Sequence, residues 1–274
     1  MLRFGPGGIP NTTTPRTTID GIKEIKKLGL TAMELEFVHS VFIKEEQTAT
    51  IKKLAHHLDI QLSSHSPYYL NLNAAEPAKL TRSIQLLSHS AIITGLSGGT
   101  NTAFHTAFYL GQPPAQAYTK VKKALQEVVK NVKAAGVKLW LRPELTGKKT
   151  QLGNVQEIIK LSQDIDMVLP CIDYAHYHAR EGGGNNDLAA FRKPLDDLER
   201  GLGKTILNNM HIQIAGVNYT EKGERNHTNL EESDLNWKDI IKTWKEYKLK
   251  GVVIAETPNL EQDALLLQKT YQQP

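Results

Sequence analysis

The sequence has only one cysteine, Cys171, among its 274 residues. Because a single cysteine cannot form a disulfide bond within the chain, a disulfide-stabilised secreted scaffold is excluded and a reducing, cytoplasmic compartment is expected. Also missing is any apolar run close to the roughly 20 residues that a membrane-spanning helix needs. The N-terminal segment MLRFGPGGIP lacks a basic region followed by a long apolar region, so we expect no secretory signal and no membrane partner.

A large excess of charge of one sign is absent as well. The 33 lysines and arginines stand against 29 acids, which gives a formal net charge of +4. This balance alone does not indicate a nucleic-acid-binding protein. If bound cations neutralise four of the acids, however, the rest of the surface is more basic, which favours a polyanionic partner.

The residues that are present are typical of a globular protein with a large core, with 40% hydrophobic and 23% charged residues. Short aliphatic and aromatic runs, typical of strands, alternate with longer runs of helical periodicity. The strand candidates are LRFG near residue 2, AMELEFV near 32, QLSSH at 61, TNTAFH at 100, KLWLRPE at 138, MVLPCID at 167, MHIQIAG at 210 and GVVIAET at 251. The predicted helices cover residues 17–28, 45–58, 76–94, 115–135, 155–165, 186–207, 236–248 and 260–272.

Eight such units without a break in composition predict an α/β protein, a single (β/α)8 TIM barrel domain over residues 1–274. The alternative is an open doubly wound sheet, whose usual sign is a glycine-rich phosphate loop after the first strand. The segment GPGGIP fits neither the G-x-G-x-x-G nor the P-loop pattern, which favours the barrel. We expect this barrel to be a monomer.

Histidines and acids concentrate where the predicted strands end, which is where the active sites of such barrels lie. The histidines at or just after strand ends are His39, His65, His105, His176, His178 and His211, and His227 lies in the long loop after the seventh strand. Glu144, Asp173 and Glu256 end the fifth, sixth and eighth strands. We therefore expect the active site at the C-terminal ends of the strands.

Glu144, Asp173, His211 and Glu256 come from four adjacent strands. An acid buried in such a strand is costly unless it is paired or bound to a metal ion. The alternative is that each acid pairs with a lysine or arginine in the barrel mouth, but only Arg142 is nearby in the strand sequences. This pattern predicts a metal site, in which we expect the three acids to be catalytic as well.

The other histidines predict more than one ion. His65 and His105 end the third and fourth strands, and together with Glu144 they form a second predicted cluster that shares this carboxylate. A bridging carboxylate is how two ions are held ~3.5–4 Å apart. Mixed nitrogen and oxygen ligands favour zinc, with manganese or iron as alternatives.

A third ion is predicted at His176, which follows Asp173 by three residues, with Glu224 and His227 of the segment GERNHTN as its partners.

Three divalent ions carry six positive charges, and the four carboxylates Glu144, Asp173, Glu224 and Glu256 carry four negative ones. One hydroxide and one phosphodiester would balance the remainder. This set of charges suits the hydrolysis of a phosphate ester.

Seven motifs along the whole chain surround these residues. They are SSHSPYYLNL at 63, AFHT at 103, RPELTGK at 142, CIDYAHYHA at 171, MHIQIAG at 210, GERNHTNLEESD at 223 and IAETP at 254. In these motifs the chain resembles the endonuclease IV family of apurinic/apyrimidinic endonucleases, within the xylose-isomerase-like barrels, and is most similar to the shorter archaeal-type members.

The resemblance implies a base excision repair enzyme with three ions. It implies one ion at Glu144, Asp173, His211 and Glu256, a second at His65, His105 and Glu144, and a third at His176 and the GERNH segment. The implied substrate is double-stranded DNA with an abasic site, cut on its 5′ side to leave 3′-hydroxyl and 5′-deoxyribose-phosphate ends. Tyr68 and Tyr69 are implied to insert into the DNA and to hold the abasic nucleotide flipped out, with ordinary packing under a loop as the alternative.

One departure from the family concerns the third ion. The family's usual Asp-x-His pair of ligands is replaced by Glu-Arg-Asn-His at residues 224–227, so the spacing is one residue longer. Either Glu224 and His227 both still reach the ion, or the third site is altered.

Two other functions remain open from the sequence. A sugar isomerase or epimerase of the same superfamily would use Glu144, Asp173, His211 and Glu256 around a single ion, with the two glutamates moving a proton on and off a carbon next to a carbonyl. The second is a non-catalytic protein that binds damaged DNA. The number of ions per chain distinguishes the nuclease, with about three, from the epimerase, with one.

Overall fold

The computed structural model describes residues 1–273. In this range the strands are β1 (Leu2–Pro6), β2 (Ala32–Glu36), β3 (Gln61–His65), β4 (Asn101–Phe104), β5 (Ala107–Phe108), β6 (Trp140–Pro143), β7 (Gln151–Leu152), β8 (Ile172–Asp173), β9 (Met210–Ile214), β10 (Gly216–Thr220), β11 (Gly223–Thr228) and β12 (Gly251–Ala255).

The α-helices in the same range are α1 (Thr18–Lys27), α2 (Glu45–Leu58), α3 (Pro77–Leu96), α4 (Pro114–Ala134), α5 (Val155–Asp164), α6 (Tyr174–Arg180), α7 (Leu188–Leu202), α8 (Trp237–Glu246) and α9 (Glu261–Gln272). Two short 3-10 helices cover Lys204–Asn208 and Leu230–Glu232. Among residues 1–273, none of the helices combines the length and the hydrophobicity that crossing a membrane requires.

Eight strands form a closed parallel barrel. β1, β12, β9 and β8 pair in that order, and β2, β3, β4 and β6 form a second parallel run. A parallel bridge from Gly7 to Glu34 joins β1 to β2. On the opposite side, bridges from Leu141 to Val168 and from Glu144 to Cys171 join the strand β6 to the segment that leads into β8. The predicted (β/α)8 barrel is confirmed.

The barrel wall separates an apolar exterior from a polar interior. Successive residues of a strand face opposite sides, so in β2 Met33 and Leu35 join the hydrophobic core under the helices while Glu34 and Glu36 face inward. The helices cover the outer face with apolar stripes, and the stripe of α4 is buried: Val121, Leu125, Val128 and Val132. Charged side chains therefore meet inside the barrel and at its mouth.

Three local features differ from the predictions. Helix α6 begins directly after β8, because a carboxylate oxygen of Asp173 accepts a hydrogen bond from the backbone N–H of His176 at 2.7 Å and so caps the helix. Residues 217–235, predicted as a loop, contain the hairpin β10–β11. The helix predicted over 186–207 ends at Leu202, where Gly203 adopts a φ of 79°, a left-handed conformation that favours glycine.

Candidate metal centre

Glu144 is the residue at which the histidines of the barrel mouth converge. Its side chain is fully buried directly after β6. One carboxylate oxygen lies 2.7 Å from His65 Nε2, and the other lies 3.1 Å from His105 Nε2 and 2.7 Å from His176 Nδ1. The structure thus brings together the predicted cluster of His65, His105 and Glu144, whose ligand atoms lie within 4.8 Å of one another.

The electrostatics around Glu144 keep this carboxylate ionised. Burial by itself raises the pKa of Glu144, but the charge of His105 and hydrogen bonds with the three histidines hold that pKa well below its usual range. Burial lowers the pKa of an imidazole, yet the hydrogen bond and charge of Glu144 raise the pKa of His65 to about 10. For His176 the negative charge of Asp173, together with Glu144, outweighs burial and raises the pKa to about 10.

A second group consists of Asp173, His176 and His227, whose ligand atoms also lie within 4.8 Å of one another. Asp173 Oδ2 lies 3.5 Å from His176 Nδ1. Asp173 Oδ2 and His227 Nε2 are both buried without a hydrogen-bond partner in residues 1–273. Because an unpaired buried polar atom is costly, a carboxylate oxygen and an imidazole nitrogen left free at one site fit a bound cation.

A β-bulge brings Glu224 and His227 to the same side of the hairpin. Tyr219 pairs with Glu224 and Val217 with His227, so the register shifts by one residue at Arg225. In a regular strand, two residues three positions apart face opposite sides. The extra residue of the bulge puts Glu224 and His227 on the same side. Glu224 Oε2 lies 3.6 Å from His176 Nε2, and the rings of His176 and His227 are 5.6 Å apart. The longer spacing in this chain is therefore compatible with both residues facing the third site.

Close packing at Gly147 also shapes this third site. A Cβ atom at Gly147 would lie 2.6 Å from the Cβ of Glu224 and 2.9 Å from Cδ2 of His176. Real Cβ atoms do not approach other atoms so closely. Only a glycine lets the segment after β6 pass beside these two side chains.

His211 lies beside a glutamate that the prediction did not include. It is fully buried, and its Nε2 lies 3.0 Å from Glu34 Oε2. Asp173 pairs with Gln213, so His211 lies one inward-facing position deeper than the level of Asp173. The role of His211 as a ligand together with Glu144, Asp173 and Glu256 stays a prediction. The prediction took His211 as a strand end, whereas β9 continues to Ile214.

A third group, which the sequence interpretation missed, contains Glu34, Glu36 and Glu256. The amide of Gln213 donates hydrogen bonds to Glu34 Oε1 at 2.8 Å and to Glu256 Oε1 at 2.7 Å. Burial, followed by the negative charge of Glu34, raises the pKa of Glu36 to about 7. Burial and the neighbouring carboxylates, Glu36 first, hold the pKa of Glu256 well above its usual range. The sequence did contain a signal for this group. Glu34 and Glu36 are two residues apart in the apolar run AMELE, and residues two apart in a strand face the same side, here the barrel interior.

Arg142 does not neutralise the buried acids. Its guanidinium is fully buried and donates to Asn101 Oδ1 at 2.6 Å, to the carbonyl of Pro170 at 3.2 Å and to Asn209 Oδ1 at 2.8 Å. Burial lowers the pKa of Arg142 to about 9. Within residues 1–273, the buried acids of the mouth have no lysine or arginine within 4.0 Å except Glu224, which lies 4.0 Å from Lys148 Nζ. Pairing with basic side chains therefore does not account for them.

Tyr68 and Tyr69 lie on the loop after β3 and are 54% and 42% exposed. The Tyr69 hydroxyl donates to the carbonyl of His39 at 2.9 Å, and the two tyrosine rings lie 5.8 Å apart. Both rings are thus accessible from solvent, and their insertion into DNA stays a prediction. We use the name aromatic rim for the exposed apolar residues on the segments that follow β2, β3 and β4, of which Phe108 lies on β5: Val38, Phe42, Tyr68, Tyr69, Phe108 and Leu110.

Comparison with known proteins identifies the family. A family model described as xylose isomerase-like TIM barrel matches residues 22–271. The chain belongs to the xylose isomerase-like TIM barrel family. An uncharacterized protein of Methanocaldococcus jannaschii is 39% identical over 271 residues, which are 99% of this chain and 97% of that protein. A protein of Acholeplasma laidlawii named probable endonuclease 4 is 23% identical over 199 residues, which are 71% of this chain and 66% of that protein.

Solved structures with different names share this fold. Endonuclease IV from Thermus thermophilus superposes with a TM-score of 0.74 at 19% identity, over 98% of this chain and 97% of that chain. A D-tagatose 3-epimerase-like protein also has a TM-score of 0.74, at 15% identity, over 98% of this chain and 95% of that chain. At these identities the structures show the fold, which endonuclease IV and sugar epimerases share.

Within this family barrel, the donor sets of the three groups differ. Two groups combine imidazole nitrogen with carboxylate oxygen, which suits zinc. One consists of His65, His105 and Glu144, and the other of Asp173, His176 and His227. The group at Glu34, Glu36 and Glu256 offers carboxylate oxygen alone. The residues present thus fit divalent metal ions, and the ligand role of each residue stays a prediction.

Proposed function

We propose that this protein is a metal-dependent AP endonuclease, a hydrolase that cuts the phosphodiester on the 5′ side of an abasic site in double-stranded DNA. The observation that carries the proposal is the contact of 2.7 Å between Glu144 and His176. It joins two groups that each combine imidazole and carboxylate, so that more than one ion can be held side by side at the mouth. Two adjacent cations are the arrangement that phosphodiester hydrolysis uses.

The residues of the chain have distinct roles in this mechanism. Glu144 is ionised and holds the two histidine-containing groups together. Asp173 supplies the carboxylate of the group with His176 and His227, and Glu256 lies beside that group, with its Oε2 3.9 Å from His227 Nδ1. When bound, the metal ions would supply a water-derived nucleophile near neutral pH and stabilise the leaving oxygen. Glu224 and His227 close the side of the site formed by the hairpin β10–β11. Removal of Glu144 or Glu256 should therefore abolish cutting.

The aromatic rim supports a nucleic-acid substrate. A small sugar would be enclosed by the barrel mouth, whereas exposed aromatic rings beside the mouth offer faces on which bases can stack. Tyr68 and Tyr69 stand next to His65, so they would meet the DNA where the chemistry takes place. The similarity to proteins named endonuclease IV and probable endonuclease 4 agrees with this substrate.

A sugar epimerase is the second candidate, because an epimerase-like structure matches the fold equally well by TM-score, at 0.74. Such an enzyme would need Glu144, Asp173, His211 and Glu256 around a single ion. The contacts of Glu144 with His65 and His105, at 2.7 Å and 3.1 Å, add histidines that a single-ion set does not use. We therefore favour the nuclease.

Incision of a labelled abasic duplex, with and without chelator, tests the proposal. We expect cutting that depends on metal and leaves 3′-hydroxyl and 5′-deoxyribose-phosphate ends, and no cutting of the matched undamaged duplex. Cutting by the metal-free protein would contradict the mechanism. Epimerisation of ketohexoses without incision would support the second candidate, and tight binding of the abasic duplex without product would indicate a non-catalytic binder.

Tyr68→Ala tests the role of the aromatic rim. Loss of one stacking ring costs about 1–3 kcal/mol, so the affinity for the abasic duplex should fall by roughly 5- to 150-fold while the metal content is unchanged. Leu110→Ala is the matched control, because Leu110 is equally exposed at 53% on the same rim but has no aromatic ring. Equal affinity of the Tyr68 variant and the unchanged protein would rule out the stacking role.

A further inference from the structure

Glu34 and Glu36 of β2 converge on one point with Glu256, which directly follows β12. One oxygen of each carboxylate lies within 4.8 Å of the others. Between them passes the end of β1, where a Cβ atom on Gly7 would lie 3.3 Å from Glu36 Oε1 and 3.4 Å from Cγ of Glu256. Because residue 7 has no side chain, the space between the acids stays open.

The hydrogen bonds that reach this carboxylate group are neutral. Gln213 donates to Glu34 and Glu256, and the Ser63 hydroxyl donates to Glu34 Oε2 at 2.6 Å. Across residues 1–273, no lysine or arginine lies within 4.0 Å of the three acids. Three carboxylates held close together without a lysine or arginine repel one another when they are ionised, and a bound cation would offset this repulsion.

Two polar side chains point into the group without a hydrogen-bond partner in the described part of the chain. Glu36 Oε1 is buried and accepts no hydrogen bond. His211 is 0% exposed, its Nε2 lies 3.0 Å from Glu34 Oε2, and neither ring nitrogen has a partner in hydrogen-bond geometry. A fully buried imidazole that touches Glu34 without a well-formed hydrogen bond is an observation separate from the three acids, and it fits a ligand at this point.

We propose that Glu34, Glu36 and Glu256 form a separate site for a hard divalent cation, Mn²⁺ or Mg²⁺, beside the two histidine-containing groups. Carboxylate oxygen is the donor that these ions prefer, whereas mixed imidazole and carboxylate sets prefer zinc. The protein is then a mixed-metal protein, with zinc around Glu144 and His176 and a hard ion around Glu36. This assignment concerns metal binding alone and holds whichever reaction the barrel catalyses.

Gln213 is a positioning residue for this site. Its amide nitrogen uses both hydrogens, one for Glu34 and one for Glu256, and its oxygen accepts from Cys171 Sγ at 3.0 Å. All three contacts agree on one orientation of the amide. Gln213 therefore holds two of the three acids at a constant separation.

Metal titration of the full-length protein tests the site without an activity assay. The protein is stripped with chelator, reloaded with zinc and then titrated with Mn²⁺, and bound metal is followed by elemental analysis and by electron paramagnetic resonance of the manganese. We expect one manganese ion per chain beside the zinc. Zinc that fills all three groups and resists excess manganese would overturn the assignment.

Two variants separate the sites. Glu36→Gln should weaken manganese binding by roughly tenfold or more while zinc is retained, because one charged oxygen ligand is lost. His105→Asn should do the reverse, with zinc lost and manganese kept. Manganese binding that is unchanged in Glu36→Gln, or that disappears together with zinc in His105→Asn, would overturn the proposal.

A measurement on the metal-free variants excludes misfolding as the cause. Glu36→Gln removes repulsion within the carboxylate group, so the metal-free variant should melt at or above the temperature of the metal-free parent protein. Glu34→Gln provides a second test, because Glu34 is fully buried and its loss should weaken manganese in the same way. If Glu36→Gln and Glu34→Gln both fold and both bind manganese as tightly as the parent protein, the proposed site is ruled out.

Discussion

Glu144 shows how one side chain links several parts of the barrel mouth. His65 ends β3, His105 follows β4 and His176 lies on α6, yet all three reach the same carboxylate. Their shared contact depends on the negative charge of Glu144, because the histidines hold the pKa of this carboxyl well below its usual range. The charge and the shape of this residue can therefore be tested separately.

Glu144→Gln keeps the shape and removes the charge. Loss of a residue that only supports a metal ligand costs roughly 10- to 100-fold in affinity, so loss of this shared ligand should cost at least as much. We expect zinc content to fall by at least one ion per chain, measured by elemental analysis, and incision to be lost. Glu46→Gln, an exposed glutamate on α2, is the control. Full zinc content in the Glu144 variant would show that Glu144 is no ligand.

At the scale of elements, Asp173 joins a strand to a helix and has two separate tasks. Its Oδ1 caps α6, and its Oδ2 has no hydrogen-bond partner among the described residues. Asp173→Asn keeps an oxygen for the cap, so it should lose metal while stability without metal is retained. Asp173→Ala should lose metal and also about 0.5–2 kcal/mol of unfolding free energy from the missing cap. Chemical denaturation of the metal-free proteins measures the difference. Equal unfolding free energies of the Asn and Ala variants would rule out the capping role.

The bulge in β11 makes a second prediction about an element. Deletion of Arg225 brings Glu224 and His227 two residues apart, which by simple alternation leaves them on one face. We therefore expect the deletion variant to keep its zinc. Deletion of both Arg225 and Asn226 leaves the two residues adjacent, on opposite faces, and should cost the ion at His176, as measured by zinc content. Zinc loss in the single-deletion variant, or none in the double-deletion variant, would contradict the role of the bulge.

At the scale of the whole molecule, buried acids that lack basic partners make stability depend on metal. An ion present at 100 times its dissociation constant stabilises the native state by about 2.7 kcal/mol, which is roughly 5–10 °C in Tm for a chain of this size. Chelation should therefore lower Tm by about that amount or more, as measured by calorimetry, and added zinc should restore it. An unchanged Tm would show that none of the three groups binds an ion tightly.

The sequence alone determined the barrel and the end of it that carries the chemistry. Periodicity of two or of 3.6 residues is a local property, so eight strands and their helices could be predicted without any contact between them. The rule that parallel strands end at one mouth then sufficed to bring His65, His105 and Glu144 together. The same rule brought His176, Asp173 and His227 to this mouth.

Only the tertiary structure decided how deep each side chain lies and which way it faces. The pairing of Asp173 with Gln213 puts His211 one inward-facing position deeper than Asp173, and this register arises between strands that are distant in sequence. The bulge at Arg225 likewise depends on the partner strand β10. The acids of β2 became part of the site only because barrel closure brings Glu36 beside Glu256. Register, bulges and closure are long-range properties of the chain, and local patterns do not encode them.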